Sequence, residues 1–456
     1  MKCCKFITER KSGKKLFFEG ATDAREFTDA IPPRDQVGYH PGDVEGDMIQ
    51  LYPSVRYQKW QGFGGAFTQS SAVALQKMSK ENQEKLIKAY FSSCGIRYNY
   101  GRMHIGSCDF CDRDYTYVEE GDETLGTFSL DCEKNDVLPL VKAALAENEN
   151  ITLFASSWSA PAFMKDNLSR VGGRLEKRYY SLWAKYVRKY IEGYRALGVN
   201  ITAVTVQNEP RHEQTWESSV FTKEEELDLA KNYLAAELKP LGVKIYAYDH
   251  CRERVFDRAT YAFTNCNDID GIAFHWYSGD YFDELRMTRE TFPDKDIVMS
   301  EGCVALKSTN PSDDEQWAAA ERYAHDIFGD INGGATAFCD WNLTLDQNRG
   351  PSHYRDGRPC FADAPVICDN EKGEVVFQPS FYVIGQFSKF IEAGASVIGC
   401  SKAWSDVDVC AVQNPNGEIV VVAHNNGEDK KGLIRLGGKL FDVTLGKGEY
   451  VTFVIE

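Results

Sequence analysis

From Trp60 onward, short apolar runs of strand character alternate with longer amphipathic segments, the pattern of repeated βα units. Eight such runs occur: Gln61–Ala66, Tyr98–Ile105, Thr152–Ser157, Ala203–Asn208, Lys244–Asp249, Gly271–His275, Asp296–Glu301 and Ala335–Asn342. Eight strands alternating with helices predict a closed (β/α)8 barrel in preference to an open doubly wound sheet, which a glycine-rich phosphate loop would favour and none supports. The α/β class follows from the same alternation.

The intervening helices are readable. Ser79 stands as an N-cap, Leu86, Ile87, Tyr90 and Phe91 recur on one helical face, and Gly95 closes the segment. Tyr179, Trp183, Tyr186, Tyr190 and Tyr194 recur at spacings of three and four, which reads as a helix face packed on the barrel rather than as a binding stripe. Beyond Ile391 the texture changes. Strand-like runs near Val397, Val407, Ile419, Leu433, Phe441 and Val451 are separated by turn signals such as Asn414-Pro415-Asn416-Gly417 and Asn425-Asn426-Gly427, the spacing of a β-sandwich. Met48–Tyr57 alternates in the same way, and Gly13–Phe18 adds another candidate strand. The expected organisation is therefore a catalytic barrel over 59–391 flanked by one sandwich made from both chain ends, 1–58 and 392–456. Residues 31–47, rich in proline and glycine, are expected to form a connecting loop.

With 456 residues and 43% apolar side chains, burial does not limit folding. Sixty-eight acidic residues against 52 basic ones leave a net charge of −16, spread along the chain, which argues against nucleic acid and anionic membranes as partners. No apolar run reaches eighteen residues and the first ten residues have no signal-peptide character, so a soluble, cytoplasmic protein without integral membrane association is expected. In that setting the fourteen cysteines read as reduced thiols. Cys108-Asp109-Phe110-Cys111 is a CxxC with no matching second pair, so neither metal nor other cofactor is expected, and activity is expected to survive a chelator.

Active sites of such barrels lie at the carboxyl ends of the strands. Strand four closes with Val206-Gln207-Asn208-Glu209-Pro210 and strand seven with Val298-Met299-Ser300-Glu301-Gly302. The two glutamates are 92 residues apart, about three βα units, which sets them nearly across the mouth from each other. A lone strand-end glutamate is usually a salt-bridge or capping residue. Two, accompanied by the strand-end residues Asn208, His275 and Trp341, have what glycosidic cleavage requires: one carboxyl to protonate the leaving oxygen and one to meet the oxocarbenium-like carbon. Aromatic faces stack on the C–H faces of sugars, and Trp158, Trp276, Tyr277 and Trp341 all fall at or just after strand ends. Arg102, His104 and Asp109 cluster at and after strand two, either to bind a hydroxyl or hold Glu301, or as a plain ion pair.

At these residues the chain resembles glycoside hydrolase family 30, a family of clan A retaining β-glycosidases, and in particular its glucosylceramidase-like branch. The likeness runs from about Gln61 to Ile391, with a weaker echo in the terminal sandwich. It is carried by Gly62-Phe63-Gly64-Gly65-Ala66, Ser107-Cys108-Asp109-Phe110, Ser157-Trp158-Ser159-Ala160-Pro161, Asn208-Glu209-Pro210, His275-Trp276-Tyr277, Ser300-Glu301-Gly302-Cys303, Asp340-Trp341-Asn342-Leu343 and Phe387-Ser388-Lys389-Phe390-Ile391. The resemblance implies Glu209 as acid/base and Glu301 as nucleophile, with Asp109, Trp158, Asn208 and Trp341 contacting the sugar and Arg102, His275 and Tyr277 around the nucleophile; Trp276 and Asn342 support them. Gly302 stands where the glucosylceramidases usually carry Ala, and 211–222 and 343–369 do not match closely enough to carry a lipid substrate over.

The expected activity is thus retaining hydrolysis of a β-linked glycoside, with an exo-acting β-glucosidase of glucosylceramidase type favoured over a β-1,6-glucanase or β-xylosidase. Burial and the charge of Glu301 are expected to raise the pKa of Glu209. Two rivals predict different observations. A catalytically silent carbohydrate-binding barrel would lack a carboxylate, and an inverting hydrolase would hold its carboxyls about 6.5–9.5 Å apart.

Overall fold

The structure is a computed structural model that describes residues 1–27, 47–353 and 361–456. Two compact units divide the chain. One comprises 62–319 and 333–379; the other comprises 1–61, 320–332 and 380–456.

The first unit is the closed barrel. Its eight parallel strands are Gly62–Ala66, Tyr100–Ile105, Thr152–Ser157, Ile201–Thr205, Lys244–Cys251, Gly271–His275, Asp296–Glu301 and Ala337–Asn342, each paired with its sequence neighbours and the eighth with the first. The strands are buried almost end to end, which is why they read as continuous apolar runs rather than as alternating ones. The interior layer takes Tyr100, Phe154, Ala203, Tyr246, Ala273, Val298 and both Ala337 and Cys339, large beside small. The first strand contributes no bulk because it has no room for any: a Cβ on Gly64 would collide with the carbonyl of Tyr100 on the neighbouring strand.

Local signals place the outer helices. The helix Lys80–Phe91 starts at Ser79, whose Oγ accepts from Asn82 N, and buries Leu86, Ile87, Tyr90 and Phe91. Gly95 follows because a side chain there would strike the carbonyls of Lys88 and Ala89. The aromatic stripe of Tyr180–Ala196 is core as expected, with Trp183, Tyr186, Tyr190 and Tyr194 buried.

Alternation within the barrel is broken at chosen points. Between strands five and six the register passes from Ala273↔Tyr248 to Phe274↔His250, leaving Asp249 as the extra residue. Between six and seven it passes from Phe274↔Met299 to His275↔Glu301, leaving Ser300, and between eight and one it skips Trp341. Such bulges re-aim side chains by one residue, and these three all lie at the carboxyl end of the barrel.

The second unit is built from both chain ends. Hydrogen bonds link, in order, Phe17–Asp23, Lys2–Thr8, Tyr450–Ile455, Ile419–Asn425, Val407–Gln413, Ser396–Lys402, Met48–Lys59, Lys430–Leu436, Lys439–Leu445 and Arg25–Glu26. Residues from both arms of this ladder, Val421 and Phe453 from one and Ile434 and Phe441 from the other, share one buried cluster, so the ladder folds over on itself as a sandwich. The fold falls at Met48–Lys59, a 12-residue strand whose pairing with Ser396–Lys402 slips twice. The strand expected at Gly13–Phe18 lies later, because Gly13 and Leu16 adopt positive φ and make the turn before it. Of the loop expected over 31–47, residues 31–46 lie outside the described residues. No helix among the described residues is long and apolar enough to cross a membrane.

Candidate active site

Arg102, on strand two, is fully buried at the centre of the barrel mouth. Its guanidinium donates to Ser156 Oγ at 3.0 Å, to Asn208 Oδ1 at 2.9 Å, to Asp249 Oδ2 at 2.7 Å and to Glu301 Oε2 at 2.5 Å. Five planar donors in a fixed fork allow one cation to set the positions of four strands at once. Because Asn208 accepts through Oδ1, its Nδ2 is left as the donor available to a ligand.

Glu301 is held from two sides. Arg102 takes Oε2, and the Tyr277 hydroxyl donates to Oε1 at 3.0 Å. Glu209 lies just past strand four, which ends at Thr205, and its φ is +45°. A non-glycine residue rarely takes that conformation, and here the fold holds it there: Glu209 N–H donates to the carbonyl of Asp249 at 2.9 Å and Asn208 N–H to that of Ser157 at 2.8 Å. Gln214 Nε2 donates to Glu209 Oε2 at 2.7 Å. The result is a close pair, with carboxylate oxygens of Glu209 and Glu301 and a ring nitrogen of His275 all within 4.8 Å of one another.

His275 ties the pair to the buried Asp249. One ring nitrogen, Nε2, is 3.1 Å from Asp249 Oδ1, and the other, Nδ1, is 3.4 Å from Glu209 Oε1. Asp249 also accepts from the hydroxyls of Thr205 and Ser300, each at 2.6 Å. Burial disfavours the imidazolium, but the charge of Glu301 and the bonds to Asp249 and Glu209 outweigh it and raise the His275 pKa to about 10. Burial likewise pushes the Glu209 carboxyl up, but the protonated His275 beside it holds it down at about 2. The expectation of a raised Glu209 pKa is therefore overturned. The proton resides on the imidazole side of a shared Glu209–His275 pair.

This arrangement makes stability pH-dependent in two windows. The raised His275 pKa contributes stability fully present below about pH 6.5, the unfolded histidine value, and lost as pH rises toward about 10. The depressed Glu209 pKa contributes stability present above about pH 4.3, the unfolded value, and lost as pH falls toward about 2. Unfolding midpoints measured from pH 6 to 10 are expected to fall more steeply in the wild type than in His275→Gln, which cannot titrate there. Parallel curves would contradict the charge assignment.

The remaining expected residues divide by role. Asp109 is buried beside the pair, and its Oδ1 has no hydrogen-bond partner among the described residues. Burial first, then the charges of Glu301 and Glu209, lift its pKa well above the carboxylate range. Trp158 and Trp341 stack on each other, centroids 5.4 Å apart and planes 22° apart, with the Arg102 guanidinium 4.8 Å and 5.5 Å from their centres. They form a rigid wall rather than two separate platforms. Tyr277 is the exposed ring at the mouth. Trp276 turns into the protein, donating from Nε1 to the Cys303 carbonyl at 3.1 Å. Asn342, fully buried, accepts through Oδ1 from Thr68, the N-cap of the helix Gln69–Gln76, and so supports the eighth strand from behind. His104 does not join the cleft groups; its Nδ1 lies 2.8 Å from the Gly106 carbonyl.

Gly302 follows from the place of Trp276. A Cβ there would strike Met299 Cε, the flexible end of its side chain, and would stand 2.7 Å from two atoms of the stiff Trp276 ring. Gly302→Ala is expected to cost about 1–3 kcal/mol by overpacking, read as a lowered unfolding midpoint. An unchanged midpoint would mean that the ring has room to shift.

Asp249, Ser300, Thr205 and Gln214 belong to the site although sequence reasoning did not select them. Asp249 ends one of the expected strand runs, and that position was its one available signal. The trio Glu209, His275 and Glu301 has the donor types of a metal site. Its imidazole, however, has both nitrogens engaged and is protonated, so it offers no lone pair to a cation.

A closed parallel barrel with two apposed glutamates, an amide donor and aromatic walls at its carboxyl end defines a glycoside hydrolase, an enzyme that hydrolyses O-glycosyl bonds. The chain belongs to glycosyl hydrolase family 30: residues 60–391 match the family's TIM-barrel domain and residues 394–448 its β-sandwich domain. It is 32% identical over 408 residues to the lysosomal acid glucosylceramidase of Mus musculus, covering 84% of this chain and 78% of that one. It is 28% identical over 393 residues to the endo-1,6-β-D-glucanase BGN16.3 of Trichoderma harzianum, covering 81% and 78%. Among solved structures it is similar to SrfJ from Salmonella typhimurium, with a TM-score of 0.91, 31% identity and full coverage of both chains.

Proposed function

We propose that this protein is an exo-acting, retaining β-glucosidase of glucosylceramidase type. The observation that carries the mechanism is the approach of the Glu209 and Glu301 carboxylate oxygens to within 4.8 Å. Retaining glycosidases keep their carboxyls about 5–5.5 Å apart; a gap wide enough for an attacking water is about 6.5–9.5 Å.

In the first step Glu301 attacks the anomeric carbon while the aglycone oxygen departs with the proton held by the Glu209–His275 pair, delivered through Glu209. Ester formation removes the charge of Glu301. His275 thereby loses one of the anions that raised its proton affinity, which suits an imidazole that is neutral in the intermediate. In the second step the Glu209 carboxylate, beside a His275 that has given up its proton, takes a proton from water as that water attacks the anomeric carbon, and Glu301 leaves. The proton returns to the pair. Asn208 Nδ2 is the donor placed for the sugar 2-hydroxyl, and Asp109 Oδ1 accepts from a further hydroxyl.

The substrate reading draws on the relatives, since identity to the mouse glucosylceramidase exceeds identity to the fungal glucanase. The test is a panel of nitrophenyl β-glycosides (glucoside, xyloside, galactoside, fucoside), glucosylceramide in detergent and β-1,6-glucan, assayed with wild type and Glu209→Gln. The expected result is release from the glucoside and glucosylceramide. Glu209→Gln should lose about 10²–10⁴-fold on glucosylceramide, whose alkoxide leaving group needs the proton, and less on the nitrophenyl glucoside. Internal cleavage of β-1,6-glucan with silence on both glucosides would overturn the substrate assignment.

A further inference from the structure

The loop after strand two carries a second cluster of chemistry-bearing side chains, outside the carboxylate pair. A ring nitrogen of His104 and the sulfurs of Cys108 and Cys111 lie within 4.8 Å of one another, and all three residues are buried. From this cluster we infer a structural binding site for a thiophilic d10 cation, zinc(II) foremost, with His104, Cys108 and Cys111 as its ligands.

Three observations support it. The first is the ligand geometry: the two sulfurs are 3.7 Å apart. Two thiolates bound at about 2.3 Å to a tetrahedral zinc stand about 3.8 Å from each other, whereas a disulfide would hold them at about 2.05 Å. The second is the state of the imidazole. Nδ1 lies 2.8 Å from the Gly106 carbonyl, which can only accept, so Nδ1 carries a hydrogen and Nε2 is the nitrogen left for a metal. Nε2 is buried with no hydrogen-bond partner among the described residues, and a carbonyl bond on the far nitrogen is how metal-bound histidines are usually oriented. The third is charge. Two thiolates and a neutral imidazole balance a divalent ion, so the ligand group itself is neutral against Phe110, Trp158 and Trp341, with the buried Glu133 carboxylate 3.6 Å from His104 Nδ1.

The sequence spacing His-x3-Cys-x2-Cys completes a set that the isolated CxxC lacked, because the third ligand comes from the strand rather than from a second pair. Three protein ligands leave the fourth tetrahedral position open to a small exogenous ligand. The consequence is local. Asp109 lies between the two cysteines, and Phe110 packs edge-on against Trp341 with centroids 6.0 Å apart, so an ion at this place would lock the loop that presents Asp109 to the cleft.

The test uses the full chain, purified under reducing conditions, stripped with a chelator and titrated with zinc alone, then with cobalt(II) alone. Wild type is expected to bind one zinc per chain, to show the intense thiolate-to-cobalt charge-transfer absorption of a tetrahedral site, and to unfold at a higher temperature with zinc than without. Cys111→Ser is expected to lose that equivalent, that absorption and that thermal shift. His104→Gln, which keeps both sulfurs, is expected to weaken zinc by at least about tenfold. Equal zinc uptake by wild type and Cys111→Ser would overturn the assignment, as would reduced, metal-free wild type that takes up no zinc and shows no thiolate-to-cobalt absorption.

Discussion

Glu301→Gln is expected to lower turnover on any β-glucoside by about 10⁴-fold or more, whatever the leaving group. A neutral amide cannot form the glycosyl ester, so the loss falls on the step common to all substrates. Glutamine keeps the shape, and its single oxygen can accept from Arg102 or from Tyr277, which bond different oxygens of Glu301, so one of the two contacts survives. The contrast with Glu209→Gln is diagnostic: an acid variant is sensitive to leaving-group quality and a nucleophile variant is not. Steady-state kinetics on a series of aryl glucosides with graded leaving groups makes the comparison. A Glu301→Gln enzyme that kept a substantial fraction of wild-type turnover would remove the nucleophile from the account.

The second large effect concerns stability. Arg102→Leu is expected to destabilise the protein by about 3–5 kcal/mol and to abolish activity, because it removes the cation from a cluster containing Asp249 and Glu301 while leaving those carboxylates buried. Burial penalises the guanidinium, yet Asp249 and Glu301 hold its pKa above the usual arginine value, which shows how strongly the charged state is matched. Arg102→Lys keeps the charge but replaces a five-donor fork by a single ammonium that cannot reach Ser156, Asn208, Asp249 and Glu301 together, so activity should fall while much of the stability returns. Chemical denaturation of the three proteins at one pH measures both. Equal stability of wild type and Arg102→Leu would mean that Asp249 and Glu301 find other compensation.

Much of this architecture is legible in the chain. Parallel barrel strands are buried on both faces, so they appear as short apolar runs, and all eight overlap those runs, although the fourth, Ile201–Thr205, starts and ends before the run Ala203–Asn208 does. The sandwich strands announce themselves through turn chemistry, as at Asn414–Gly417, where Gly417 takes positive φ between two antiparallel strands. Glu209 and Glu301 stand out because strand-end polar residues are few. What is hidden is what depends on register and on tertiary neighbours. Asp249 and Ser300 enter the site only because the ladder slips by one residue at each, a slip that leaves no mark on an apolar run. The resting place of the proton depends on His275 standing 3.4 Å from Glu209, a contact between residues 66 apart in sequence. Trp158 and Trp341 read as separate sugar platforms until the fold stacks them on each other. Cys108 and Cys111 looked incomplete for the same reason, since His104 belongs to the preceding strand.

The claim at the centre is that Glu301 carries the sugar between the two chemical steps. The most direct measurement is peptide mass spectrometry of the enzyme quenched after reaction with an activated 2-deoxy-2-fluoro-β-glucoside, whose electronegative substituent slows breakdown of the intermediate. The account predicts one fluoroglucosyl group per chain, on the peptide bearing Glu301, reversed on standing with release of the sugar. Turnover of the parent aryl glucoside to the α anomer, with no labelled peptide or with the label on Glu209, would contradict it.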